Sequence, residues 1–212
     1  MLEHYLTMKH QGEHEITIQK SRFIGHVKRT ETEDEAQAFI DEIKKEHSSA
    51  THNCSAYMIG EQNLIQKAHD DGEPSGTAGV PMLEVLKQMD MKDTTVVVTR
   101  YFGGIKLGAG GLIRAYSNAT SEAIRAVGVV RRSLMQDVVI GADYGMLGKL
   151  ENELRTHDYL IDTIDYAEQV TFHVLIPVSD VDDFKTWIVD LTSNQADIQD
   201  GETQYVERDV EV

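Results

Sequence analysis

The chain has 212 residues, 41% of them hydrophobic, enough to bury one sizeable core or two modest ones. No apolar run, TTVVVTRYF (94–102) included, approaches the roughly 20 residues that cross a bilayer, and charged positions punctuate the first thirty residues, so neither a membrane span nor a secretory leader is expected. Cys54 is the only cysteine, which excludes an internal disulfide and fits a reducing, cytoplasmic setting.

The net charge of −16 is carried unevenly. Residues 1–135 hold 16 Lys and Arg against 18 Asp and Glu, a net of −2, with seven of the nine histidines; residues 136–212 hold 4 against 18, a net of −14. An even spread would argue against any polyanionic partner. The asymmetry instead suggests two modules with different surfaces.

In chain order, EITIQKSRFIGHVKRT (15–30) interleaves β-branched and aromatic residues with polar ones and reads as a strand. EDEAQAFIDEIKKEH (33–47) places Ala36, Phe39, Ile40 and Ile43 at helical spacing. HNCSAYMIG (52–60) is a strand, HDDGEPSGTAG (69–79) a loop, and VPMLEVLKQMD (80–90) a helix with Pro81 in its first turn. TTVVVTRYF has the continuous apolar run of a strand buried on both faces. Gly108, Gly110 and Gly111 then open a helix whose apolar stripe is Leu112, Tyr116, Ala119, Ala123 and Val127 and whose polar stripe holds Arg114, Asn118, Ser121 and Arg125. Beyond a boundary near Ser133 the pattern becomes strand, helix, two strands joined near Ala167, helix with Ser179 as cap, and strand. That order, βαββαβ, is the ferredoxin-like split motif. The chain is read as α+β with two domains, 1–133 and 134–212.

Candidate chemistry concentrates in RYFGGIKLGAGGLIRAYS (100–117). A helix start offers free N–H groups and about half a positive charge, so Arg114 in the first turn calls for a negative partner. Glycines without Cβ atoms let backbone amides approach an anion closely. The segment is therefore read as a phosphate or phosphodiester site, with Arg100, Lys106 and Arg114 for charge and Gly103, Gly104, Gly108, Gly110 and Gly111 for backbone approach. Tyr101 or Phe102 would stack on a base; strand alternation lets only one face the cleft, and core packing is favoured for Phe102. A plainer reading has the glycines serving tight turns and the arginines pairing with Asp70, Asp71 and Glu73 at the rim of the same cleft.

Other chemistry is thinner. His69, Asp70, Asp71 and Glu73 have the residue types of a metal or general acid/base set, but their spacing fits no Zn or Ca loop. His52 and Cys54 share a strand face, two ligands at most. The glycine-rich turn lacks the Lys-Ser/Thr order of a P-loop, and no Ser-His-Asp arrangement is evident. No cofactor or metal is expected.

HDDGEPSGTAGVPMLEVL followed by VVVTRYFGGIKLGAGGLIRAYSNA resembles the signature of the IMPACT family, most strongly over about residues 15–130, and the two-domain length is similar to its bacterial YigZ/YvyE branch. The resemblance implies an N-terminal α/β sandwich like the second domain of ribosomal protein S five, shared with a domain of elongation factor G, and a C-terminal domain like another domain of that factor. It also implies a link to translation: eukaryotic members regulate initiation through protein partners, by way of a separate N-terminal domain that has no counterpart in this chain, and the bacterial branch is suspected of binding nucleic acid or the ribosome. The expectation is a non-enzymatic, translation-associated binding protein whose N-terminal cleft contacts RNA phosphates, with a basic protein surface as a partner for the acidic domain. An enzyme acting on a small phosphorylated or nucleotide substrate, and a pure protein-interaction regulator, stand as alternatives.

Overall fold

The computed structural model describes residues 1–212, which form five α-helices and two five-stranded sheets. The chain separates into two compact units, Tyr5–Arg131 with Arg208–Val212, and Met1–His4 with Arg132–Glu207. Each tail thus folds with the unit built by the far end of the chain. No helix is long and apolar enough to cross a membrane.

In the first unit, the short strand β1 (His4–Met8) is followed by β2 (Gly12–Ile18), β3 (Ser21–Arg29), α1 (Glu33–Glu46), β4 (His52–Ile59), β5 (Ile65–His69), α2 (Gly79–Gln88), β6 (Thr94–Tyr101) and α3 (Gly108–Val127). The sheet runs β2-β3-β6-β4-β5 with every neighbour antiparallel. The single strand expected over 15–30 is a hairpin. Ile18 pairs with Ser21, and Gln19 and Lys20 turn the chain at φ of 45° and 67°. Left-handed backbone at both turn residues matches the twist of the flanking strands, but Gln-Lys carries none of the usual Asn-Gly signal. The edge strand β5 was also not expected; its side chains are largely exposed, so no apolar pattern marks it.

β6 is buried on both faces, as its valines suggested. On one face Val96 and Val98 join Phe23, Val27, Cys54, Ala56 and Met58 beneath α2 and α3. On the other Val97 meets Tyr57 and Ile59 beneath Phe39, Ile40 and Ile43 of α1. α1 is capped by Thr32, whose hydroxyl accepts from the Glu35 N–H at 3.2 Å. α3 lies directly on the backbone of β3. A Cβ added at Gly25 would stand 2.8 Å from the Ala119 carbonyl oxygen and 2.7 Å from the Ala123 Cβ, so glycine here sets how closely helix and strand approach.

The second unit orders β7 (Val129–Ala142), α4 (Leu147–Thr156), β8 (Leu160–Tyr166), β9 (Val170–Pro177), α5 (Val181–Thr192) and β10 (Asp197–Val210). β9 lies between β7 and β8, antiparallel to both, and β1 and β10 also pair with β7, completing the second five-stranded sheet. Leu150, Leu154, Phe184 and Ile188 of the helices cover Val138, Ile140, Phe172 and Val174. Ser179 is not the cap of α5. Asp180 holds that position, Ser179 Oγ donates to its Oδ1 at 2.7 Å, and Asp182 and Asp183 in the first turn supply the negative charge a helix start favours.

Candidate functional site

The start of α3 is open. Leu107 occupies its cap position without a side-chain hydrogen bond to the helix, and no acid lies in the first turn, so its leading N–H groups have no side-chain acceptor. The loop that delivers it is pinned at the far end. The Phe102 N–H donates to Thr51 Oγ1 at 3.0 Å and the Gly103 N–H to Ser21 Oγ at 3.1 Å, and a Cβ at Gly103 would collide with the Lys20 carbonyl group. Gly104 and Gly108 hold φ of 87° and 70°, which a residue with a side chain adopts only under strain.

Opposite this loop lies HDDGEPSGTAG, and the two enclose a cleft of about 400 Å³. Glu73 and Pro74 of one loop face Phe102, Lys106 and Gly108 of the other, with Arg100 and His52 on the walls. Glu73 is buried, 8% exposed. Its Oε1 accepts from Arg100 Nη1 at 2.6 Å and from the Tyr116 hydroxyl at 2.8 Å, while its Oε2 lies 3.7 Å from His52 Nε2. Arg100, 5% exposed, also lies over the Phe23 and Phe102 rings, each 5.4 Å away, and its buried Nε–H meets no acceptor.

The expected site residues therefore divide. Arg100, Lys106, Gly108 and Glu73 come together on the cleft, but the Arg100 charge is neutralised by Glu73 rather than presented to solvent. Lys106 is exposed and makes no hydrogen bond or ion pair, and the same holds for Arg114, which stands beside the cleft rather than among the residues that line it, in the second turn of α3 rather than the first because the helix begins at Gly108. Gly110 and Gly111 belong to the first turn; a Cβ on Gly110 would meet only Arg114 Nη1, at 3.7 Å.

Tyr101 and Phe102 exchange the roles expected of them. Phe102 is 46% exposed and lines the cleft, because β6 ends at Tyr101 and the chain leaves the sheet. Tyr101 stays on the α1 side, its hydroxyl 2.9 Å from His47 Nδ1 and the Arg22 guanidinium over its ring.

Asp70 and Asp71 are turned away from the cleft and do not form its rim. The Asp70 carboxylate accepts the Gly76, Ala78 and Gly79 N–H groups at 2.7, 3.0 and 2.9 Å, and so holds both the loop and the start of α2. Burial works to raise its pKa, but these donated bonds prevail and hold it below the ordinary aspartate value. Asp71 accepts from the Asn53 N–H at 2.7 Å and from Lys44 at 2.8 Å. Neither is placed to act as a metal ligand or base in the cleft.

Two wall residues lay outside the expected set. His52, expected only to share a strand face with Cys54, stands on the cleft wall with its Nδ1 2.8 Å from the Asp71 carbonyl oxygen. Tyr116 stood in the apolar stripe of α3, and nothing in that spacing announces its hydroxyl on Glu73. Cys54 is buried, its thiol donating to the Asp70 carbonyl at 3.0 Å; burial pushes its pKa up to about 12, so it is no thiolate ligand.

Comparison with known proteins gives this geometry its family. The model of the Impact N-terminal domain matches residues 19–124, and that of a domain of unknown function (DUF1949) matches 140–195. The chain is 58% identical over 210 residues to the IMPACT family member YvyE of Bacillus subtilis, covering 99% of this chain and 97% of that protein. It is 36% identical to YigZ of Escherichia coli, with coverages of 82% and 87%. Protein IMPACT-B of Xenopus tropicalis is 37% identical over 98 residues, covering 44% of this chain and 30% of that protein. A crystal structure described only as that of a hypothetical protein is 32% identical and superposes with a TM-score of 0.60 over 95% of this chain and 99% of that one. The glycine-rich loops that form the cleft both lie inside the matched N-terminal segment, and the chain belongs to the IMPACT family, in its bacterial YigZ/YvyE-like branch.

Proposed function

We propose that this protein is a translation-associated regulatory protein that binds RNA, on the ribosome or free, along the cleft of its N-terminal unit. The observation that carries the reading is the pair of unpartnered cations, Lys106 and Arg114, on either side of the open start of α3. Free amides at a helix start, with one cation on the loop before it and another on its second turn, form a phosphate-binding arrangement, and Phe102 offers an exposed ring beside them for a base to stack on. Arg100 belongs to the scaffold of the cleft in this reading. The link to translation rests on the family resemblance, as do the ribosomal protein S five-like and ferredoxin-like fold names for the two units. The C-terminal unit, with its excess of acid, is repelled by nucleic acid and serves to orient the first unit or to meet a basic protein surface.

The test is sequencing of RNA crosslinked to the protein in cells, together with sedimentation on ribosome gradients, for the native chain and for the double variant Lys106→Gln, Arg114→Gln. Crosslinks and cosedimentation that depend on the two cations support the reading. Equal recovery of RNA by the double variant overturns it.

A further inference from the structure

A second cluster lies on the other face of the first sheet, under α1, and plays no part in the cleft. Glu13 of β2 is the cross-strand partner of His26 in β3, and His47 caps the C-terminus of α1 beside them. Each offers one ligand atom, and the three atoms lie within 4.8 Å of one another. The His26 and His47 rings are 4.9 Å apart between centroids.

The hydrogen bonds around the cluster fix which nitrogens are free. Thr99 Oγ1 gives its only hydrogen to Asn53 Oδ1 at 2.7 Å, so toward His26 Nε2, 3.3 Å away, it can only accept. The His26 proton is thereby assigned to Nε2, which leaves the lone pair of Nδ1 facing Glu13 Oε2 at 3.1 Å. Two acceptors at that distance repel unless a proton or a metal ion lies between them. His26 itself is 3% exposed. His47 Nδ1 is held by the Tyr101 hydroxyl, while its Nε2 is buried with no hydrogen-bond partner. Both imidazoles are thus oriented through one nitrogen by an outer partner, as metal-bound histidines are, and the C-terminal end of α1 adds its partial negative charge.

From this geometry we propose that Glu13, His26 and His47 form a binding site for a divalent first-row transition metal, with Zn²⁺ as the ion that two imidazoles and a carboxylate favour. Hard cations such as Ca²⁺ and Mg²⁺ require more oxygen ligands than the cluster holds. Three protein ligands leave a fourth position for water or another donor. The metal would tie the β2–β3 hairpin to the end of α1.

The experiment is calorimetric titration of Zn²⁺ into the full chain after chelator treatment, with Co²⁺ absorption as a readout of coordination and a melting curve in chelator as the control for folding. The native chain should bind one Zn²⁺, melt at a higher temperature with it, and give the visible bands of four-coordinate Co²⁺. His47→Gln and Glu13→Gln should each lose about a hundredfold or more in affinity and the Co²⁺ bands, with melting in chelator unchanged. Tyr101→Phe, which keeps the ring and removes the group orienting His47, should weaken Zn²⁺ about tenfold to a hundredfold. The surface variants His10→Gln and His69→Gln should bind as the native chain does. Should His47→Gln fail to fold, Glu13→Gln decides alone, since its carboxylate is exposed. Absence of Zn²⁺ binding, or binding that survives both ligand substitutions, overturns the proposal, as does binding lost with Cys54→Ser instead.

Discussion

Arg100→Gln and Arg114→Gln should have opposite consequences, because the first arginine is buried on an acid and the second has no partner. Arg100→Gln leaves Glu73 charged and 8% exposed. Removing one member of a buried pair costs about 3–5 kcal/mol, and the lower end applies because the Tyr116 hydroxyl at 2.8 Å and His52 at 3.7 Å still face the carboxylate. A loss of about 3 kcal/mol in a unit of this size lowers the melting temperature by roughly 10 °C. The slope of log affinity against log salt concentration should stay as in the native chain, since Arg100 is held on Glu73 and neutralises no phosphate, while the bared carboxylate lowers the affinity itself. Arg114→Gln should leave stability within about 0.5 kcal/mol, as exposed substitutions do. It should flatten the plot of log affinity against log salt concentration by roughly 0.7, the single-strand value for one phosphate contact. Paired melting curves and salt titrations on both variants give the answer. If Arg100→Gln flattens the salt slope while melting normally, the assignment of that residue to the scaffold is wrong; if Arg114→Gln leaves the slope intact, the start of α3 is not where phosphate binds.

The glycines of the loop should also separate. Gly103→Ala should destabilise by about 2 kcal/mol or more, because its methyl group meets the Lys20 carbonyl group, whereas Gly110→Ala, with only Arg114 Nη1 nearby at 3.7 Å, should raise thermal stability by up to about 1 kcal/mol and weaken RNA binding by holding the phosphate off the amides. Asp70→Asn should lose about 1–3 kcal/mol in denaturant melts, because the amide oxygen replaces a carboxylate that accepts three N–H groups. Because the pKa of Asp70 is lowered by folding, its contribution to stability is complete above the unfolded value of about 3.8 and is lost as pH falls below it; an acid titration in which the native chain and the variant stay equally far apart down to the lowest pH contradicts this. Cys54 should resist alkylation at neutral pH in the folded chain and react at once in denaturant, as mass spectrometry would show.

Helical and buried-strand spacing carried most of the architecture: the stripe Leu112, Tyr116, Ala119, Ala123 and Val127 is buried throughout, and the valines of β6 face two cores. The β2–β3 turn escaped notice because Gln19 and Lys20 reach left-handed backbone without the residues that announce it. At the cleft, composition and spacing brought the right loops together but could not assign partners. Arg100 meets Glu73 across 27 positions and two elements, and no periodicity distinguishes that pairing from one with Asp70 or Asp71. Tyr101 and Phe102 were exchanged because alternation holds only while the strand lasts. Glu13, His26 and His47 went unread for the same reason as Arg100: the cross-strand register and a helix end bring them together, and nothing local to any of the three says so.

The closeness of α3 to β3 at Gly25 reaches beyond packing. At that point the Ala119 carbonyl and the Ala123 methyl rest on bare strand backbone with no longer side chain between them to give way, so the middle of the helix cannot loosen without parting from the strand. The amide protons of its middle turns should then exchange with solvent only when the whole unit opens, and all at one rate. The first turn, Gly108–Gly111, is exposed or half-buried and uncapped, so it escapes that constraint. A single helix would thus carry a frayed, fast-exchanging end welded to a slow one, and a ligand that seats on the frayed end would be recorded there alone.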